Sequence, residues 1–164
     1  MKGIIIYKSN YGTTERYARW LAEDTGFACL DLGSVKSRDL EDRDAVVLGA
    51  PVFADKPQIA GWIRKNWKRL EDKKVALFTT SGTTPDDASL QRGFESSFAP
   101  EIRENLRYVP LGGRMVFAEL KPLHRRLMKM GMRMEKDPKV REEMARDKDG
   151  VDRSGLAPLV EYLR

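Results

Sequence analysis

The stretch Gly3-Ile4-Ile5-Ile6-Tyr7-Lys8-Ser9-Asn10-Tyr11-Gly12-Thr13-Thr14 decides how the rest of this 164-residue chain is read. Gly3 to Tyr7 is an apolar, β-branched run of the length of a buried strand. Beyond the loop, Tyr17, Ala18, Leu21 and Ala22 recur at helical spacing, while Glu15, Arg16, Arg19 and Glu23 fall on the other side. A strand, a hydroxyl-rich turn and a helix start together make an anion cradle. The first-turn N–H groups of a helix have no internal partner, the helix dipole adds positive potential, and Ser and Thr hydroxyls donate further bonds. Gly12 lets the backbone take positive φ or come close to an oxyanion. The loop has neither a Walker lysine nor G-x-G-x-x-G, so nucleoside-triphosphate and dinucleotide readings lose their main support. Taken alone, the same residues also suit an ordinary βα turn.

Outward from this loop the pattern alternates. Gly26 closes the first helix, and Phe27 to Leu32 reads as a second strand. A polar connection follows, with a short helical turn at Ser37 to Leu40. Asp44 to Ala50 is a nearly unbroken apolar run, as in a parallel strand covered on both faces. After Pro51-Val52-Phe53-Ala54-Asp55-Lys56, Pro57 is expected to open a helix whose stripe is Ile59, Ile63, Trp67 and Leu70. Trp62 and Trp67 read as core residues. Lys74 to Thr79 is a fourth strand, and Thr80-Ser81-Gly82-Thr83-Thr84-Pro85 a second small-polar loop. Leu90, Phe94 and Phe98 mark another helix, Pro100 to Asn105 a short one, and Tyr108 to Leu111 a weak fifth strand. This alternation calls for one domain, 1–164, with a parallel sheet and helices on both faces. In such a sheet the strand C-termini share one edge, where ligands bind.

Composition bounds the rest. The hydrophobic and charged fractions, 41% and 34%, are those of a soluble globular chain. One cysteine, Cys29, allows no internal disulfide and suits a reducing cytoplasm. It lies in an apolar run and reads as an inert thiol. The single histidine, His124, stands in a basic stretch and reads as a surface residue. With one His and one Cys there is no cluster of soft ligands for a metal. The N-terminal apolar run is too short for a signal peptide, and no segment is long enough to span a bilayer. A net charge of +5 points to an anionic partner. The positive residues are interleaved with acids and lack an aromatic platform, which argues against nucleic acid.

Ile5-Ile6-Tyr7-Lys8-Ser9-Asn10-Tyr11-Gly12-Thr13-Thr14 resembles the flavodoxin signature, in which an aromatic-ended strand leads into the loop that holds the phosphate of FMN. Asn10 and Tyr11 stand where flavodoxins more often carry Thr. The resemblance covers nearly the whole chain. It implies a three-layer α/β sandwich with a five-stranded parallel sheet of order 2-1-3-4-5, FMN as cofactor, and electron transfer as function. It also implies roles for three loops. Ser9, Asn10, Tyr11, Gly12, Thr13 and Thr14 would hold the phosphate; Pro51, Val52, Phe53 and Ala54 would lie along the ring, with Phe53 the stacking candidate. Thr80, Ser81, Gly82 and Thr83 would present backbone groups to the polar edge of the flavin. Ala54-Asp55 stands where many flavodoxins have Gly; Ala disfavours positive φ, so the resemblance implies a preference for two-electron chemistry. No side chain stands out as an obligatory acid or base, so no catalytic residue is named. A receiver domain would need acids after the first strand, and a low-molecular-weight phosphatase would need a Cys in the first loop; neither fits.

The C-terminal third departs from a simple shuttle. In Lys121 to Met134, Leu123, Leu127, Met130 and Met134 form one stripe, and Lys121, Arg125, Arg126, Lys129 and Arg133 dominate the remainder. The plain expectation is a crossover helix packed on the sheet; the sharper one is a basic amphipathic element meeting an anionic membrane surface or an apolar substrate. Together with the charged segment from Pro138 to Asp147 and the last helix near Pro158, this region is similar to the menaquinone-dependent protoporphyrinogen oxidases. That resemblance implies a quinone or porphyrinogen partner and a place on the inner membrane face. A non-redox module binding another phosphate ligand stays open as a third reading.

Overall fold

The computed structural model describes all residues, 1–164. Five strands pair in parallel: β1 (Gly3–Tyr7), β2 (Ala28–Asp31), β3 (Ala45–Phe53), β4 (Lys74–Ser81) and β5 (Leu106–Gly112). Their order across the sheet is 2-1-3-4-5. The two-residue segment Lys56–Pro57 is a sixth, antiparallel member that pairs with the end of β3. The helices are α1 (Thr13–Thr25), α2 (Ala60–Asn66), α3 (Ala88–Ser97), α4 (Pro100–Asn105), α5 (Pro122–Met134), α6 (Pro138–Ala145) and α7 (Ala157–Tyr162).

Strand alternation divides the core into two layers, one on each side of the sheet. Ile4, Ile6, Val46, Leu48, Val75 and Leu77 face α2, α3 and α4, where Ile63, Phe94 and Ile102 meet them with Ile59, Trp67, Leu70 and Phe98. Ile5, Val47, Ala76 and Phe78 face α1 and α7 and bury Tyr17, Leu21, Leu159 and Leu163. The register brings Ile6, Leu48, Leu77 and Tyr108 into one row, so each residue of the row points to the same layer. All of β1, and β4 from Val75 to Thr80, are buried, which is why these segments read as unbroken apolar runs.

Several boundaries differ from expectation. β3 runs on through Pro51, Val52 and Phe53 because this segment pairs first with β4 and then with Lys56–Pro57. Pro57 therefore sits in a strand, and the helix starts only at Ala60. β4 takes in Thr80 and Ser81, which pair with Leu111 and Gly112. The largest correction concerns α5. It packs no residue into the core: its stripe of Leu123, Leu127, Met130 and Met134 is exposed. It belongs to an excursion, residues 117–149, that leaves the C-terminal edge of β5. The excursion is closed at its base by antiparallel pairing of Arg114–Met115 with Lys148–Asp149. Phe117 N donates to Asp147 Oδ1 at 2.9 Å, and Gly150 N donates to Gly113 O at 2.9 Å.

Candidate functional site

The loop between β1 and α1 is a row of free donors. Gly12 has φ 87°, the left-handed region that favours glycine, and a Cβ at this position would meet open space. Its N–H donates to Ser9 Oγ at 3.0 Å. The amides of Asn10, Tyr11, Thr13, Thr14 and Glu15 donate to no protein acceptor; the ladder of α1 begins with Arg16 N on Gly12 O at 3.0 Å. No side chain caps α1, whereas Asp87 and Asp137 cap α3 and α6. The only carboxylate in the first turn, Glu15, is drawn away by Arg19, whose Nη2 lies 2.6 Å from Glu15 Oε1. Nothing in the protein answers these amides, so an anion is their natural complement.

The other two candidate loops end on the same edge. Thr14 Oγ1 and Thr80 Oγ1 lie 2.9 Å apart in a buried contact that fastens the first loop to β4. The Thr14 hydroxyl is thereby engaged within the protein, and only its amide faces the cradle. Asn10 Nδ2 donates to Gln58 Oε1 at 3.0 Å, joining the first loop to the segment after β3. Pro51 and Val52 are half-buried, while Phe53 is 43% exposed and Ala54 is exposed as well. Ala54 and Asp55 both have positive φ, 49° and 64°, at the tip of a two-residue hairpin. The expectation that Ala54 avoids this region is therefore overturned, and with it the argument it carried: pairing of Phe53 with Lys56 forces the turn. In the third loop, Ser81 Oγ lies 2.7 Å from Thr83 Oγ1 and accepts from Thr83 N at 3.2 Å. Ser81 O accepts from Gly113 N at 2.7 Å, and the amides of Gly82 and Thr84 have no protein acceptor.

The excursion adds residues whose place at this edge no local pattern reveals. His124, expected at the surface, is half-buried beside Tyr11 and Phe53, which are themselves exposed. Its Nδ1 is hydrogen-bonded to the Tyr11 hydroxyl, and its ring centroid lies 5.6 Å from that of Tyr11 and 6.1 Å from that of Phe53. Lys121 N donates to the same hydroxyl at 3.1 Å, and Lys121 Nζ lies 5.5 Å from the centroid of the Tyr11 ring. The Tyr11 hydroxyl thus bridges the Lys121 amide and His124 Nδ1, and it keeps a proton that it can donate to the imidazole. Arg125, counted with the basic face, turns inward, its Nη2 donating to Ala118 O at 2.7 Å. Cys29 is half-buried on β2, and burial pushes its thiol pKa up, so it stays protonated. Burial likewise raises the Tyr108 hydroxyl, against the lowering effect of its hydrogen bond with Thr79.

A doubly wound sheet, an uncapped helix start and three loops on one edge define an open α/β fold of the kind that binds ligands at its strand C-termini. A family model described as a flavodoxin domain matches residues 4–142, and the chain belongs to that family. Oxidised flavodoxin 2 from Bacillus cereus is similar at 16% identity, with 99% of this chain and 97% of that one covered and a TM-score of 0.53. Two-electron reduced flavodoxin from Megasphaera elsdenii is similar at 15% identity over 87% of this chain and 96% of that one, with a TM-score of 0.52. At these identities the likeness is one of fold. No curated protein sequence matches the chain.

Proposed function

We propose that the chain is an FMN-binding flavoprotein that carries electrons between partners. The observation behind this reading is the set of amides of Asn10, Tyr11, Thr13, Thr14 and Glu15 with no internal acceptor, in the first βα turn of a flavodoxin-family sheet. A phosphate monoester fits it: five free N–H groups, the Ser9 hydroxyl and the positive end of α1 supply donors, and the one carboxylate of the first turn, Glu15, is paired with Arg19. Phe53 offers an exposed apolar face for a ring, and the Gly82 and Thr84 amides offer donors for a polar rim. When bound, the flavin supplies the redox chemistry. The protein's residues bind the phosphate, orient the ring and limit its contact with water.

A visible spectrum and a flavin-fluorescence titration test this. FMN is expected to bind and its fluorescence to change; riboflavin, which lacks the phosphate, is expected to bind more weakly. A purified chain that stays colourless and leaves added FMN free overturns the reading.

A second reading is favoured by the outward stripe of α5. It is an FMN-dependent oxidoreductase of the protoporphyrinogen oxidase, quinone-linked type, resting on an anionic membrane surface. Leu127 and Met130 are exposed between Arg126, Lys129 and Arg133, and the cleft between α5 and α6 is lined by Lys129, Met132, Arg133 and Arg141, with no carboxylate among them. Any contact with lipid would be peripheral, since no helix is long and apolar enough to cross a membrane. Pelleting with anionic vesicles and a protoporphyrinogen oxidation assay separate the two readings. Vesicles that leave the protein in solution, with no oxidation in the assay, reject the second.

A further inference from the structure

The excursion 117–149 buries no residue of α5 or α6, so core packing does not account for where it lies. Yet it touches all three loops of the candidate site. Its base lies beside the third loop, where a Cβ on Gly82 would stand 3.7 Å from Met115 Cβ and 3.8 Å from Lys148 Cδ. Its first helical turn reaches the other two. His124 sits between Tyr11 of the first loop and Phe53 of the second, and Lys121 meets Tyr11 from two directions, with its amide at the hydroxyl and its ammonium toward the ring.

We propose that His124 is a cofactor-positioning residue: through its hydrogen bond to Tyr11 it latches the excursion across the phosphate and ring loops, and so sets how long a bound flavin stays. The proposal rests on the flavin reading above. The direction of the contact matters. Lys121 N–H already donates to the Tyr11 oxygen, so the hydroxyl proton is free to go to Nδ1. A residue with an acceptor at the Nδ1 position therefore keeps the latch, and one without it opens the latch. Opening leaves the Asn10–Gln58 hydrogen bond as the side-chain tie between the first loop and the segment after β3. Association depends mainly on encounter with the cradle, and dissociation on how firmly the loops are held, so the effect falls on release.

The experiment follows FMN release by the return of flavin fluorescence after dilution. It uses the full chain and the variants His124→Leu, His124→Asn, Tyr11→Phe and the double variant Tyr11→Phe/His124→Leu. Loss of the Tyr11–His124 hydrogen bond is expected to speed release about fivefold to tenfold in His124→Leu, and at least as much in Tyr11→Phe, which also loses the bond from Lys121 N. His124→Asn, whose Oδ1 stands where Nδ1 was, is expected to restore most of the wild-type rate. The double variant is expected to release well below the product of the two single effects, because both remove the shared Tyr11–His124 contact. Met134→Ala, at the exposed far end of α5, is expected to release at the wild-type rate. Trypsin cleavage within 117–149 is expected to slow when FMN is added to the wild type. A wild-type chain that holds FMN while His124→Leu releases it at the same rate overturns the latch alone. So do additive effects in the double variant, which would make the two residues independent. A wild-type chain that does not bind FMN overturns the flavin reading itself, and this inference with it.

Discussion

Thr14 and Thr80 illustrate how one pair of side chains fixes the site's frame. Both are buried, and their hydroxyls meet at 2.9 Å with either able to donate. Replacing one by Val leaves the other hydroxyl buried and unpaired, at about 1–3 kcal/mol, while replacing both removes donor and acceptor together and costs little. Urea unfolding of Thr14→Val, Thr80→Val and the double variant is thus expected to show two destabilised singles and a double close to the parent. A double variant that sums the single losses contradicts this account. Ala54 makes the opposite point. At φ 49° an alanine is strained by about 1–2 kcal/mol, and glycine there would relieve it at about 0.5–1 kcal/mol of added chain entropy. Ala54→Gly is therefore expected to stabilise the fold by about 0.5–1 kcal/mol. A fall in the urea midpoint would show that the turn is held by something other than backbone preference.

At the scale of elements, the hairpin carrying Phe53 is positioned by α3. Gly93 of α3 lies against the Asp55 carbonyl, and a Cβ there would land on that backbone group. Backbone cannot swing aside as a long side chain does. Gly93→Ala is expected to cost about 1–3 kcal/mol and to displace the Phe53 turn, read by urea unfolding and by weaker FMN binding. Unchanged stability and FMN affinity would count against that role. Nothing in the local pattern around Gly93 announces this contact, and the same limit recurs elsewhere. The stripes of α1 and α2 and the bounds Pro100–Asn105 were legible because 3.6-residue periodicity and proline placement are local signals. Pro51 to Phe53 and Thr80 to Ser81 read as loops because small polar and proline residues suggest turns. Their strand character comes from their partners: Lys56–Pro57 across a hairpin for Val52 and Phe53, and Leu111 and Gly112 well downstream for Thr80 and Ser81. His124 was missed for the same reason. Its neighbours Tyr11 and Phe53 are brought to it by tertiary structure alone. The amphipathic pattern of α5 was read correctly as a helix, but periodicity gives the apolar face without saying what, if anything, covers it.

The whole molecule divides into a sheet with two packed layers and an excursion that leaves from one edge and returns to it. The two core layers are complete without residues 117–149: none of their buried residues falls in that segment. The excursion's ends are already brought together by the pairing of Arg114–Met115 with Lys148–Asp149, so a short turn can join them with little rearrangement. Replacing residues 117–146 by Asn-Gly is therefore expected to leave the urea midpoint within about 1 kcal/mol of the parent, since few buried contacts go and a shorter loop closes at lower entropic cost. The functional outcome should differ from the thermodynamic one. With Lys121 and His124 gone, the first and second loops lose the residues that span them, and FMN is expected to dissociate faster. If the shortened chain unfolds or aggregates, the excursion contributes to the fold through surface contacts that burial does not reveal. If it folds and holds FMN as long as the parent, the cradle from Ser9 to Glu15 and the two other loops suffice without a cover. A folded chain with hastened release separates the two tasks the sequence performs: a core that builds the edge, and an excursion that closes over it.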